Sequence, residues 1–306
     1  MKLVIIGNGA IGLLYYAQLF EHCRVLMKAR TFEKRSDSLI FDDIDGNLKN
    51  IPLSYASEQD LKDADCILVC VKSFDVATAL SDVFPMLASH CAIILSHNGM
   101  GVIEQLDSLK KSPNPIYNLL TTQGAQKLNH VQVKHTGIGD TIIGNVLNAD
   151  SNFEAKLKAI LASALIKHSI AENINEKQWH KLAINCAINP LTAINNIPNG
   201  ELIKSKYDSL IENILAEVVA VANAEANSEN SAFALNTLLS TVRKVICNTA
   251  KNSSSMRQDV LNNKTTEIEF INGYVIKKGL IHNIPTPENK KLYNQIKALQ
   301  PTNIKL

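Results

Sequence analysis

The chain carries almost no net charge: 31 basic and 29 acidic side chains leave a formal +2 over 306 residues. That excludes the broad electrostatic attraction to nucleic acid that a strongly basic protein shows. The one local basic run, 28–35, is interrupted by Glu33. No uninterrupted apolar run approaches the roughly 20 residues that a membrane-spanning helix needs. The apolar stretch 3–6 is too short for a signal-peptide core and runs straight into glycines, so a cytoplasmic location and no membrane partner are expected. Six cysteines, at 23, 66, 70, 91, 186 and 247, show no His/Cys spacing of a zinc site. Cys66 and Cys70 share one face of an apolar run, and reduced, packing cysteines are the expected state. There is no HExxH, no paired-carboxylate motif and no internal repeat. Hydrolytic chemistry therefore has no evident carrier.

What is present is a change of pattern along the chain. The first half alternates short β-rich runs (3–6, 25–27, 67–71, 92–95) with helical stretches at 12–21 and 74–87. This is the rhythm of a doubly wound α/β fold. Between 116 and 144, Val131, Val133, Ile142 and Ile143 mark later strands, some of them antiparallel. From Phe153 on, helical patterns dominate at 153–167, 176–189, 201–227, 231–248 and 265–280. Breaks are expected at Pro190, Pro198-Asn199-Gly200, Pro285 and Pro287. The reading is an α/β Rossmann-type N-terminal domain over 1–167 and an all-α C-terminal domain over 168–306.

Gly7-Asn8-Gly9-Ala10-Ile11-Gly12 follows a strand and opens a helix, the context that gives a GxGxxG spacing its meaning. Gly7 permits the tight turn, Gly9 lets backbone approach a pyrophosphate, and Gly12 lets the helix pack on the sheet. The helix start offers unpaired N–H groups to phosphate. An NAD site usually places an acid at the end of the second strand. Here Lys28-Ala29-Arg30-Thr31 stands there instead. Arg30, with or without Lys28, suits a 2′-phosphate, which favours NADP; Glu33 is close enough to bind a ribose hydroxyl if the turn folds back. Lys72 follows the strand at 67–71, where a cation faces phosphate or ribose or simply ends the strand in solvent.

A second constellation lies at 179–190. Lys181, Asn185 and Asn189 recur at i, i+4 and i+8, a polar stripe on one helix face amid Leu182, Ala183, Ile184, Cys186, Ala187 and Ile188. Either the stripe is solvated or a ligand satisfies it, since burying it bare is costly. Hydride delivery to a carbonyl carbon leaves charge on oxygen, which a placed ammonium can stabilise and protonate. Two amides can orient oxygens without adding charge. Ser253-Ser254-Ser255 can cap a helix and hold a carboxylate, and Glu267 opens the helical stretch at 265–280, where capping alone is the plainer account. His97 and His180 have no evident catalytic partner.

Taken together, GNGAIG at 7–12, VKS at 71–73, HNGMG at 97–101, TTQGA at 121–125, KLAINCAINPLTA at 181–193, SSMRQD at 254–259 and TEIEFINGYV at 266–275 resemble the ketopantoate reductase family. The resemblance spans nearly the whole chain. It implies reduction of 2-dehydropantoate to (R)-pantoate with NADPH, on the way to pantothenate and coenzyme A, in an active site between a Rossmann-type and a helical domain. It makes Lys181 the general acid and Glu267 its acidic support. It makes Asn98, Asn185 and Asn189 substrate-orienting amides and Ser255 a carboxylate ligand. It puts Gly7, Asn8, Gly9, Ala10, Ile11, Gly12, Arg30, Lys72, Asn98, Ala125 and Glu267 on the cofactor. His180 stands where the family often has arginine. Two rivals remain open: a reductase of another small 2-keto or hydroxy acid, and a non-catalytic NADPH-sensing protein. A small-molecule substrate is the expected partner, in a monomer or homodimer.

Overall fold

A computed structural model describes residues 1–28, 38–226 and 233–301. The chain divides into two compact units, Met1–His97 with Val102–Lys177, and Asn98–Gly101 with Gln178–Leu306.

The first unit contains β1 (Lys2–Ile6), α1 (Ala10–Leu19), β2 (Arg24–Lys28), β3 (Ser38–Asp42), β4 (Leu48–Pro52) and α2 (Glu58–Lys62). There follow β5 (Cys66–Val69), α3 (Val76–Ser81), β6 (Ala92–Leu95), α4 (Val102–Gln105), α5 (Asp107–Lys110) and β7 (Ile116–Thr121). It closes with β8 (Gly124–Asn129), β9 (Gln132–Gly137), β10 (Thr141–Leu147), α6 (Ser151–Ser163) and β11 (His168–Ile170). One sheet has seven strands in the order β11-β10-β7-β6-β5-β1-β2. Its strands from β2 to β7 are parallel, and β10 is antiparallel to β7. β5 and β6 are buried along their whole length, which is why they read as unbroken apolar runs rather than alternating ones. Because β2 and β5 flank β1 on opposite sides, strand order reverses there. Open α/β sheets bind ligands at the carboxyl ends of the strands at such a point.

Three expectations need correction in this unit. A second sheet, β4-β3-β9-β8, takes in residues 38–52 that the sequence pattern had left without strands. Its strands are short and half exposed, so they lack the continuous apolar signal of β5. The helix expected over 74–87 is broken into a 3-10 turn at 73–75, α3, and a second 3-10 turn at 84–86. Pro85 accounts for the second break, since it has no N–H to give a helix interior. The domain boundary was expected at 167/168, but β11 pairs with β10 and keeps the residues through Lys177 with the first unit.

All described elements of the second unit are helical: α7 (Ile174–Asn195, whose first residues precede the unit boundary), α8 (Asp208–Ala226), α9 (Leu235–Asn248), α10 (Ser255–Leu261), α11 (Asn272–Ile281) and α12 (Pro287–Leu299). Its core gathers Trp179, Leu215, Val242 and Val275, with Trp179 and Tyr274 in tilted ring contact at 5.7 Å. The stretch 201–227 opens with 3-10 turns at 199–203 and 205–207 before α8 begins, and 265–280 splits into a 3-10 turn at 268–270 and α11. Pro287 does not end a helix but starts α12 in its first turn, where the missing N–H costs nothing. Pro190, expected as a break, lies inside α7. The helix continues because the carbonyl that Pro190 deprives of a partner, that of Cys186, is met from outside by Asn272 at 3.1 Å.

Candidate active site

The glycine turn in the first unit is built from the backbone upward. Gly7 sits at φ +108°, and a Cβ there would lie 2.8 Å from the Cys70 carbonyl. At Gly12 a Cβ would lie 2.0 Å from the Gly7 carbonyl. Packing therefore dictates both glycines. Gly9 is different: it is exposed, and its Cβ would meet nothing nearer than 3.8 Å. The chain itself does not require glycine there, whereas a phosphate lying on the turn would. Gly9 is also the N-cap of α1, with no side-chain hydrogen bond to the first turn, so the amides of Ala10, Ile11 and Gly12, which precede the first helical bond from Leu13, are left for a ligand. Asn8, Ala10 and Ile11 complete this turn.

Neighbouring elements add positive charge. Cys70 N–H donates to the Ile6 carbonyl at 2.7 Å, so the carboxyl ends of β1 and β5 are joined side by side and Lys72 follows at once. Lys127 Nζ donates to the Asn8 carbonyl at 2.8 Å. Lys127 was not singled out from the sequence. The available signal was its place two residues after Ala125 on β8, hence on the same strand face. Lys28 ends β2, but Arg30 lies outside the described residues. The turn, its open amides and the lysines suit the diphosphate of a dinucleotide.

In the second unit, α7 carries Lys181, Asn185 and Asn189 as the spacing requires. The surrounding protein strips water from Lys181 and lowers its pKa from 10.5 to about 8, against the opposing pull of the Glu267 negative charge. Glu267 is 4% exposed and accepts from Asn98 Nδ2 at 3.1 Å. The Asn98 loop is fixed by the Met100 N–H, which donates to the Phe270 carbonyl at 2.8 Å. Gly99, at φ +79°, makes that approach possible, since a Cβ there would sit 2.2 Å from the same carbonyl. Lysine, glutamate and asparagine thus form one electrostatic group, drawn from three distant parts of the chain.

Beside it, a buried polar atom is left over. Asn185 Nδ2, one helical turn from Lys181, has no hydrogen-bond partner among the described residues. Asn189 is buried at 7% exposure. Buried donors without partners cost free energy unless something else meets them, so this side of α7 is suited to a polar ligand. An ammonium able to give up a proton near pH 8, with amide donors beside it, can protonate and orient a reacting oxygen.

The three serines divide their work differently from the expected pattern. Ser255 is exposed at the first position of α10. Ser254 is the cap: its Oγ accepts from Arg257 N–H at 3.1 Å and lies 2.7 Å from Thr192 Oγ1 on α7. Replacing Ser254 with alanine is expected to lower unfolding free energy by about 1–2 kcal/mol. Ser255→Ala is expected to stay within about 0.5 kcal/mol. Urea unfolding of the two variants makes the comparison, and equal losses would refute the assignment of the cap. His180 packs its ring on Phe233 at 5.1 Å, an ordinary core contact.

The family model described as ketopantoate reductase PanE/ApbA matches residues 3–148, and its C-terminal counterpart matches 173–300. A 2-dehydropantoate 2-reductase of Vibrio cholerae is 38% identical over 304 residues, covering 98% of each chain. Among solved structures, a PanE/ApbA family ketopantoate reductase from Ralstonia eutropha JMP134 superposes with a TM-score of 0.84 at 26% identity, over 98% of each chain. A D-mandelate dehydrogenase complexed with NADH and anilino(oxo)acetate has a TM-score of 0.85 at 23% identity, again over 98% of each chain, a likeness of fold.

Proposed function

The chain belongs to the ketopantoate reductase family, and from that premise we propose that it reduces 2-dehydropantoate to (R)-pantoate with NADPH, in the cytoplasm, on the route to pantothenate and coenzyme A. The observation that carries the reading is Lys181, held near pKa 8 beside buried Glu267, one turn from the unpartnered amide donor of Asn185.

The cofactor is proposed to lie on the turn from Gly7 to Gly12, with Asn8, Gly9, Ala10 and Ile11 meeting its diphosphate. Lys72 and Ala125 line its path, Arg30 pairs with the 2′-phosphate, and Asn98 and Glu267 border the ribose of its nicotinamide end. When bound, it supplies the hydride. The remaining work falls to the chain's own side chains. Lys181 Nζ gives its proton to the oxygen on C2 as charge develops there. Glu267 favours the ammonium form that must precede that transfer, and orients Asn98. Asn185 and Asn189 hold the substrate's oxygens in register with Lys181, and the Ser255 hydroxyl takes the carboxylate.

The test is cofactor oxidation by purified protein, with 2-dehydropantoate and a panel of other small 2-keto acids, using NADPH and NADH in parallel. Turnover that prefers 2-dehydropantoate and NADPH is the expected result. Turnover confined to another keto acid would overturn the substrate. Cofactor binding without turnover on any substrate would overturn the reaction and leave a sensing role.

A further inference from the structure

The carrier of the polar stripe has a fault in its backbone. In an α-helix the Cys186 carbonyl should accept from the N–H four residues on, and that residue is Pro190. The proline has no N–H, and its ring crowds the same carbonyl. The fault falls between Asn185 and Asn189, where a small change of helix direction moves one amide relative to the other and to Lys181. Helices bend at proline and where a side chain inserts into the hydrogen-bond ladder, and both conditions meet at this turn.

What fills it is Asn272, fully buried at the start of α11. Its Nδ2 donates to the Cys186 carbonyl at 3.1 Å and to Asn289 Oδ1 at 2.9 Å. Asn289, also fully buried, donates through Nδ2 to Glu217 Oε2 at 2.7 Å and to the Ile214 carbonyl at 3.3 Å. Glu217 additionally accepts from the N–H groups of Glu288 and Asn289 at 2.8 and 3.0 Å. The direction of this chain is forced. A carboxylate and a carbonyl can only accept, so both asparagines must turn their NH2 groups as found. Glu217 thereby fixes Asn289, Asn289 fixes Asn272, and Asn272 fixes the freed carbonyl. Asn272 Oδ1 has no partner among the described residues. A buried amide that leaves its oxygen unmet is a net cost unless its donors matter.

We propose that Asn272 is a positioning residue for the reduction: by holding the carbonyl that Pro190 frees, it sets the spacing of Asn185 and Asn189 against Lys181. The proposal rests on the reaction assigned above. It also has an internal rescue. Pro190→Ala returns an N–H to position 190, and the Cys186 carbonyl then finds its partner within α7. Asn272 should become dispensable for the site, though not for packing.

The experiment is a double-mutant cycle with Asn272→Leu and Pro190→Ala, read by kinetics and by amide hydrogen exchange of peptides covering 186–194. Asn272→Leu is expected to lower kcat about 10- to 100-fold in the native background but less than about threefold in the Pro190→Ala background. The KM for NADPH should stay unchanged. Exchange over 186–194 should quicken in Asn272→Leu and slow again in the double variant. Equal losses of kcat in both backgrounds, or exchange that does not respond to Asn272→Leu, would overturn the proposal and leave a packing role. If Asn272→Leu does not fold, Asn272→Ser enters the same cycle. Failure of the reaction itself is distinguishable, because the wild-type protein would then turn over no keto acid; that outcome also removes the positioning role.

Discussion

Lys181→Ala is expected to lower kcat by roughly 100- to 10,000-fold, the range that loss of a general acid produces. Cofactor affinity should change little, because the glycine turn proposed for its phosphates lies in the other unit. Lys181→Arg should not restore the rate. It keeps the charge, but a guanidinium holds its proton too tightly to give it up. The pH dependence separates this account from a purely electrostatic one. Lys181 must be protonated to reduce a ketone and neutral to accept a proton from a hydroxy acid. With its pKa lowered to about 8, kcat/KM for reduction should be flat below that pH and fall above it. For the reverse oxidation, kcat/KM should rise through the same point. Steady-state rates in both directions between pH 6 and roughly 10 test this. Parallel profiles in the two directions would remove Lys181 from the proton transfer. The same lowering has a sign for stability. The folded state binds fewer protons than the unfolded state between about pH 8 and the ordinary 10.5, so this lysine's cost to folding is full below pH 8 and relieved as pH rises.

The parts of this candidate site that were legible in the sequence are those whose arrangement follows local spacing. Lys181, Asn185 and Asn189 needed only a helix to share a face, and GNGAIG needed only a strand before it and a helix after it. Glu267 was read from the chain pattern as a helix opener. Its place among the charged group depends on the loop at Asn98 and on backbone contact with Phe270, which no spacing encodes. The three consecutive serines carried no phase information. Whether Ser254 or Ser255 caps α10 is decided by Thr192, far off in the chain. Pro190 misled because its usual meaning is the end of a helix, and the group that overrides it, Asn272, lies on α11. The second sheet was read only around Val131 and Val133, at β9, for a related reason: strands such as β8, with mostly polar and part-exposed residues, are defined by their neighbours rather than by their own composition.

Gly12 and Gly9 give the remaining large effect, and they should part company. A Cβ at Gly12 would be forced to 2.0 Å from the Gly7 carbonyl, a backbone atom at the end of β1. Gly12→Ala must therefore push α1 off the sheet. A stability loss of about 1–3 kcal/mol or more is expected. The first amides of α1 move with it, and losing two charge-assisted bonds to phosphate, about 1.5–3 kcal/mol each, should weaken NADPH binding by about 100-fold or more. Gly9→Ala starts from a different geometry. Its φ of −72° is open to alanine, and the nearest atom its Cβ meets is the Cys70 carbonyl oxygen at 3.8 Å. The free protein should unfold within about 0.5 kcal/mol of the wild type. The methyl group would nonetheless occupy the space where a diphosphate must approach the backbone, so NADPH affinity should fall while stability holds. Thermal unfolding and fluorescence titration with NADPH on both variants resolve the two cases. Loss of stability without loss of affinity at Gly12, or normal NADPH binding by Gly9→Ala, would mean that the cofactor does not lie on this turn. The expected split instead assigns Gly12 to the fold and Gly9 to the ligand, in one six-residue motif whose glycines look alike in the sequence.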